Sequence, residues 1–427
     1  MGGNHKTPEV LIIGAGMIVT DLILPAVLQL KRQGQVGQVT VCDAKPSAIR
    51  ALQRERGINQ AFPEVRYRGL PRSDEGDRPQ EGLFRELLKE MPPHQAVVAA
   101  VPDQDHYEVV MAALKADQHV LCVKPLVHTF KEAREIEAEA RARGLLVGIE
   151  YHKRRDRRAL ISRRRYRAGD FGRFVMGEAK MIEPYYYRLS NFQNWFRKEE
   201  TDPFVYVGCH YVDLVAFITG LRPSEVRVQG VEGRFPNGVE AYLWANASLR
   251  FENGALMSVT CGLGYPDQGA GPNEQGLSMF FEGENRAGVL KHNDQFRGAE
   301  YGFLEPQGPG KKLFHYINPD FMQWAPHDGP GFKPIGYGPD SVQANILAMA
   351  RIEAAAAQSP DPPRARREAV AAVNERGLIA TPANSFYNEL VHEAARASIL
   401  ADGEPFCVDY EPEPRVRAKH DPALDRG

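Results

Sequence analysis

Between residues 10 and 149 short, nearly continuous apolar runs alternate with stretches of helical period, and few folds accept that order. Val10, Leu11, Ile12 and Ile13 are apolar without a break, as a strand covered on both faces must be. Residues 39–42, 96–101, 119–123 and 145–149 read the same way. Ile18, Leu22, Ala26 and Leu30 keep helical spacing after the first run, and Val109, Val110, Ala113 and Leu114 after the third. Thr129 and Glu132 form a capping box for a further helix ending near Gly144. Strands joined by crossovers of this length lie parallel, through right-handed βαβ units. The expected fold is α/β, with a doubly wound parallel sheet over residues 1–150.

Gly14-Ala15-Gly16 leaves the first strand and opens the helix carrying Met17 and Ile18. One glycine allows the tight turn, and the other lets backbone amides approach a pyrophosphate at a helix N-terminus. A third glycine of a G-x-G-x-x-G loop is replaced by Val19. Asp43 closes the second strand, where a carboxylate accepts hydrogen bonds from an adenosine ribose and repels a 2′-phosphate. These positions predict a Rossmann sheet binding NAD in preference to NADP.

Val101-Pro102-Asp103-Gln104-Asp105-His106 follows one strand, and Val123-Lys124-Pro125 ends the next. Proline biases the residue before it away from helix, so Lys124 is held extended at a strand end, where open α/β sheets bind ligands. An amine there stabilises alkoxide character as hydride departs. Together with the glycine loop, residues 167–173 and residues 208–220, these segments resemble the glucose-fructose oxidoreductase, inositol dehydrogenase and rhizopine catabolism (Gfo/Idh/MocA) family. The resemblance covers most of the chain. It implies that Pro102, Asp103 and His106 lie beneath the nicotinamide half of the cofactor, beside Pro125. It also implies that Lys124 reaches the reacting hydroxyl, although Val123 stands where the family's Glu-Lys-Pro signature has glutamate.

Gly208-Cys209-His210-Tyr211-Val212-Asp213 opens a helix that runs to Gly220. By the resemblance His210 is the general base, a role suited to an imidazole because its ordinary pKa of ~6.5 lies near working pH. The family's assisting carboxylate, four residues earlier, is Tyr206 here, whose phenol can hydrogen-bond a substrate hydroxyl. Asp213 is implied to touch the sugar or polyol. His152 and Lys153, just past the last strand of the first domain, align with further substrate contacts.

From residue 151 the period shifts. Residues 174–181, 226–231, 241–249, 255–261 and 277–281 read as strands, several alternating apolar and polar. An α+β domain over 151–400 with an open, mostly antiparallel sheet fits, and the resemblance implies one sheet face over the cofactor crevice and the other free for subunit contacts. A homo-oligomer, dimer or tetramer, is expected. Residues 265–276 and 302–337 read as binding or lid loops, 341–357 and 383–400 as helices, and 401–427 as a C-terminal tail, frayed from 411 onward. Tyr185, Tyr186, Tyr187, Asn191 and Trp195 fit either a sugar-stacking surface or a packed interface.

Lys and Arg number 53 against 55 Asp and Glu, a net charge of −2 that offers no general attraction to nucleic acid or anionic membrane. Residues 153–167 hold nine Lys or Arg and read as a solvated helix face. No apolar run approaches the ~20 residues of a membrane span. Residues 1–9 lack a secretory core, and Lys6 breaks the myristoylation pattern. Five scattered cysteines read as free thiols in a reducing cytoplasm, and His392-Glu393 is not part of an H-E-x-x-H metal motif. No metal is expected. The chain thus reads as an NAD-dependent dehydrogenase of a secondary alcohol on a sugar, polyol or glycoside. Two alternatives are a glycoside-cleaving enzyme that retains NAD and oxidises transiently, and a non-catalytic dinucleotide sensor.

Overall fold

The computed structural model describes residues 7–72, 76, 78–267, 273–283, 286–293 and 321–420 of the 427. The chain divides into two compact units: Met1–Val127 with Lys131–Arg155 and Phe321–Ser385, and His128–Phe130 with Asp156–Asp320 and Phe386–Gly427.

In the first unit β1 (Val10–Ile13), β2 (Val39–Cys42), β3 (Arg68–Leu70), β4 (Ala96–Ala99), β5 (His119–Val123) and β6 (Val147–Glu150) form one parallel sheet. Their order is β3-β2-β1-β4-β5-β6, the doubly wound arrangement. Every residue of β1, β2, β4 and β6 is buried, because helices cover both faces. β3 was not expected; its three residues carry too little apolar signal to be seen in isolation.

The expected limits of 1–150, 151–400 and 401–427 need correction. The helices Tyr337–Ala357 and Pro362–Arg376 belong to the first unit, where Ile346, Met349 and Ile352 share a core with Val10, Ile12 and Leu121. A Cβ on Gly148 would lie 1.9 Å from Asn345 Oδ1, so a side chain there would displace the buried Asn345 amide. Part of the expected loop 302–337 lies outside the described residues. The remainder forms a hairpin, Gln323–Pro326 with Phe332–Ile335, whose Trp324 meets Phe62 edge-on at 5.8 Å. The helix Tyr337–Ala357 is also tied electrostatically. The Glu353 carboxylate accepts from His119 Nε2 at 3.0 Å and from Arg366 Nε at 2.8 Å. His119 Nδ1 accepts from Leu146 N at 2.9 Å, so a neutral ring suffices to donate to Glu353.

In the second unit β7 (Arg173–Pro184), β8 (Pro223–Arg234), β9 (Glu240–Phe251), β10 (Leu256–Tyr265), β11 (Glu274–Gly283) and β12 (Arg286–Asn293) build an eight-stranded sheet with two strands from the chain's end. All its pairings are antiparallel except β7 with β10. Inward Phe174, Ala179 and Met181 alternate with outward Glu178 and Lys180 along β7. The tail is not frayed from 411: Phe406–Asp409 pairs with β8 and then with Arg415–Ala418. Tyr410 anchors this end, donating to Pro223 O at 2.7 Å beneath the Arg222 guanidinium. Residues 421–427, and 268–272 of the expected loop 265–276, lie outside the described residues.

The basic stretch 153–167 is a solvated face only in its helical part, where Arg157, Arg164, Arg165 and Arg167 are exposed. Lys153 and Arg154 are buried in the first unit, while Arg157–Arg167 is a helix of the second. Asp156 caps that helix and accepts from Arg158 Nε at 2.9 Å and His292 Nε2 at 2.8 Å. Burial alone would raise its carboxyl, but these bonds outweigh it and hold the pKa at about 2.

Glu353 obeys the same balance, its burial outweighed by His119 and Arg366, with a pKa lowered from 4.5 to about 2. A depressed carboxyl stabilises the fold above its ordinary pKa, and that contribution fades as pH falls from 4.5 toward 2. Glu353→Gln is therefore expected to cost roughly 1–2 kcal/mol in urea unfolding at neutral pH. The gap from wild type should narrow steadily in the same titration repeated at lower pH.

Candidate active site

All six strands of the first sheet are parallel, so the residues following them emerge along one edge. Gly14 leaves β1 with φ +107°, and a Cβ there would lie 2.0 Å from Ala100 O. No side chain fits that turn. A Cβ on Gly16, by contrast, would meet nothing within 4 Å. Gly16 thus presents an open backbone just where the helix starts, the feature a pyrophosphate needs. Asp43, at the end of β2, accepts from Ala15 N at 2.9 Å through Oδ2 and from Lys45 N at 2.8 Å through Oδ1. The carboxylate is thereby oriented beside the glycine turn, with lone pairs remaining for a ribose.

Met17 and Ile18 begin the helix, which widens into a π-helical turn over Val19–Ile23 before Leu24–Arg32. Pro25 lies just past that turn, and proline cannot donate the ordinary helical bond. Val19, in place of the third glycine, is fully buried against the sheet.

Pro102 and Asp103 follow β4, Asp103 buried in a short 3₁₀ turn, and Lys124 follows β5, partly exposed, before a cis peptide to Pro125. His106 requires a correction. It is fully buried, with Nδ1 2.7 Å from Pro125 O and Nε2 3.0 Å from Val101 O. Its ring is committed to backbone and serves to hold the two strand ends, rather than to touch a cofactor. Burial raises the nearby Asp105 carboxyl, and His106 partly offsets this.

Val123 pairs with Glu150, so β6 delivers His152 and Lys153 to the same edge as Lys124. His152 Nδ1 lies 2.8 Å from Glu150 Oε2, and its ring packs 5.0 Å from Phe321 and nearly parallel to Tyr337 at 5.7 Å. Lys153 is buried with Nζ 5.9 Å from the centre of the Tyr337 ring.

Tyr206, His210 and Asp213 belong to the second unit, on a continuous helical path of a wide turn, Phe204–Gly208, and the helix Cys209–Thr219. Asp202 starts it: Oδ1 accepts from Phe204 N at 2.9 Å and Val205 N at 3.1 Å, while Oδ2 takes Arg396 Nη1 at 2.9 Å. Asp202 and Arg396 were not anticipated, although Thr201-Asp202-Pro203 is the sequence of a helix cap followed by proline at the first turn. Gly208 admits the turn against β10, since a Cβ would lie 2.7 Å from the Phe204 ring and 3.0 Å from Cys261 Sγ. Gly220 ends the helix in the left-handed conformation. His210 is 3% exposed in the first turn.

Asp213 is 1% exposed, and its Oδ1 accepts from Tyr387 Oη and Asn388 Nδ2, each at 3.0 Å. Two donors from the helix Tyr387–Leu400 make it a tie between helices. Tyr206 sits among rings, with centres 5.1 Å from Phe192, 5.7 Å from Trp195 and 5.8 Å from Phe196. Its position at the expected carboxylate is thus occupied by an aromatic cluster. Among the described residues no group of His, Cys, Asp and Glu has the arrangement of a metal site.

The two loop glycines separate folding from binding. Gly14→Ala is expected to destabilise the protein outright, seen as a lowered melting temperature. Gly16→Ala should melt like wild type yet bind NAD at least about tenfold more weakly by calorimetry, because its methyl enters the phosphate approach.

Similarity to known proteins agrees with this geometry. The profile of the oxidoreductase family with an NAD-binding Rossmann fold matches residues 9–151, and that of the GFO/IDH/MocA C-terminal domain matches residues 161–281. The 1,5-anhydro-D-fructose reductase of Ensifer adhaerens is 28% identical over 53% of this chain and 68% of its own length. The D-glucoside 3-dehydrogenase of Escherichia coli is 26% identical over 50% of this chain and 54% of its own. An uncharacterised fission-yeast oxidoreductase, 32% identical, is matched over only 34% of its length. Among solved structures, an inositol dehydrogenase homologue of Azotobacter vinelandii with NADH and myo-inositol superposes at a TM-score of 0.61, with 18% identity, over 94% of this chain and 98% of that one. A Lactobacillus casei myo-inositol dehydrogenase gives 0.60 at 16% identity, over 94% and 97%. The chain belongs to the Gfo/Idh/MocA family, and its residues 9–151 are that family's NAD-binding Rossmann domain.

Proposed function

We propose that this protein is an NAD-dependent dehydrogenase acting on a secondary alcohol of a sugar, polyol or glycoside. The observation that carries the reading is that Lys124, at the end of β5, and His210, in the first turn of its helix, both stand on this family's two domains. Gly14, Gly16 and the amides of the following turn would hold the pyrophosphate, and Asp43 the ribose. Bound NAD supplies the hydride acceptor. Lys124 donates a hydrogen bond to the substrate oxygen and stabilises its growing negative charge. His210 takes the hydroxyl proton. Asp213 acts at one remove, holding the His210 helix through Tyr387 and Asn388. The anchored Asp43 carboxylate favours NAD over NADP, because a 2′-phosphate would meet its charge.

Purified protein with NAD and a panel of polyols and glycosides should produce NADH. Lys124→Ala and His210→Ala should each lower kcat/KM by roughly 10²–10⁴-fold while NAD binding stays intact. Glycoside cleavage without NADH would replace the reading by transient oxidation. NAD binding with no conversion of any substrate would replace it by a sensor.

The assembly we propose is a homo-oligomer through the outer sheet face. Leu256, Met176, Phe280 and Val289 are consecutive cross-strand partners over β10, β7, β11 and β12, and each is more than a third exposed. A contiguous apolar row of this kind marks an interaction surface. All five cysteines are free thiols, four of them buried, which supports a reducing compartment such as the cytoplasm. No described helix is long and apolar enough to cross a membrane. Phe280→Lys should shift the mass measured by light scattering toward the monomer, while leaving the circular dichroism spectrum unchanged.

A further inference from the structure

The aromatic residues between Tyr185 and Tyr206 do more than fill the second unit. β7 ends at Pro184 and passes into two short 3₁₀ turns, Tyr185–Leu189 and Asn191–Asn194. Phe192 and Phe196 are buried and form the floor. Tyr187 lies nearly parallel to Phe192 at 4.9 Å, and Trp195 and Tyr206 stand at 5.1 Å from the same ring. Tyr187, Trp195 and Tyr206 remain partly exposed. Phe192 and Phe196 both meet Tyr206 edge-on, at 87° and 86°, so its ring cannot swing without breaking two contacts. Tyr206 and His210 are one turn apart on a continuous helical path, which puts the shelf beside the imidazole.

Polar groups border the rings. The Arg188 guanidinium lies 4.9 Å over Tyr185 and donates from Nε to Leu263 O, and burial pushes its pKa down. Rigid aromatic faces next to fixed polar groups match a pyranose ring, which has an apolar face of C–H bonds and an edge of hydroxyls. A cyclitol with hydroxyls all round its rim offers less to such a shelf, and an apolar aglycone offers more.

The geometry points to a substrate-selecting shelf of Tyr187, Trp195 and Tyr206 that receives the apolar face of a pyranoside, its aglycone included, beside His210. This rests on the dehydrogenase reading for its chemistry but not for its binding. Trp195 is the specificity-determining residue.

The test compares phenyl β-glucoside, methyl β-glucoside and myo-inositol with the NAD-loaded protein, by calorimetry for binding and by NADH formation for turnover. Phenyl glucoside is expected to bind at least about fivefold more tightly than methyl glucoside, and myo-inositol most weakly. Trp195→Ala should raise KM for phenyl glucoside about tenfold with kcat within about twofold of wild type, and Trp195→Phe should restore most of the loss. Trp195-dependent glucoside binding without NADH would uphold the shelf and overturn the dehydrogenase. Glucoside turnover with the same KM in both Trp195 variants, or a preference for myo-inositol, would overturn the shelf and leave the dehydrogenase standing. Absence of binding by all three compounds would overturn the shelf.

Discussion

Six strands pointing the same way deliver whatever follows them to a single edge, and the cofactor half of this protein depends on that constraint. Because every strand end opens there, a short turn is enough to present a functional group. β1 presents the Gly14–Gly16 turn, β2 presents Asp43, and β5 presents Lys124. The turns must then be held at fixed height. The structure does this with side chains set against backbone across the strand ends: Asp43 accepting from Ala15 N, and the His106 ring lodged between the carbonyls of Val101 and Pro125. A residue that looks like a ligand contact in sequence can therefore belong to the scaffold.

That distinction separates what is legible in the sequence from what is not. β1, β2, β4, β5 and β6 are legible because burial on two faces forces apolar residues at nearly every position. The glycine turn is legible because only glycine takes φ +107° against Ala100 O. His106 is misread for the opposite reason: a histidine after a strand end looks the same whether it faces solvent or two carbonyls, and only burial decides. The hairpin at 323–335 hides in a stretch rich in Gly and Pro, because its strands are only four residues each. The strands after residue 405 hide for a similar reason, their signal masked by charged residues that pair across the hairpin, Arg417 with Asp409 at 2.9 Å.

The return of residues 321–385 to the first unit is least legible of all, since no local pattern records a partner more than 200 residues away. What fixes it is chemistry of the buried kind. His119 and Glu353 are 234 positions apart and 3.0 Å from each other. Hydrogen bonds between buried groups add little net stability, but breaking one leaves a buried donor or acceptor unsatisfied. Such a pair therefore selects one docking arrangement over others. Asp156 with His292, and Asp202 with Arg396, do the same work in the second unit.

The same logic explains why a helix near the C-terminus matters to a histidine at position 210. The helix Cys209–Thr219 is so apolar that sliding along its axis would change its burial little. Polar contacts remove that freedom. Arg396 grips Asp202 at the start of the path, and Tyr387 and Asn388 grip Asp213 about three turns further on. All three donors lie on one helix, so two points along the His210 path are held by a single rigid rod. An imidazole on a rod fixed at two points keeps its place to within the slack of those hydrogen bonds, which is the tolerance that proton transfer requires. The cost is that Asp213 is spent on architecture. Under the proposed shelf, recognition of the substrate beside His210 falls to the rings around Tyr206.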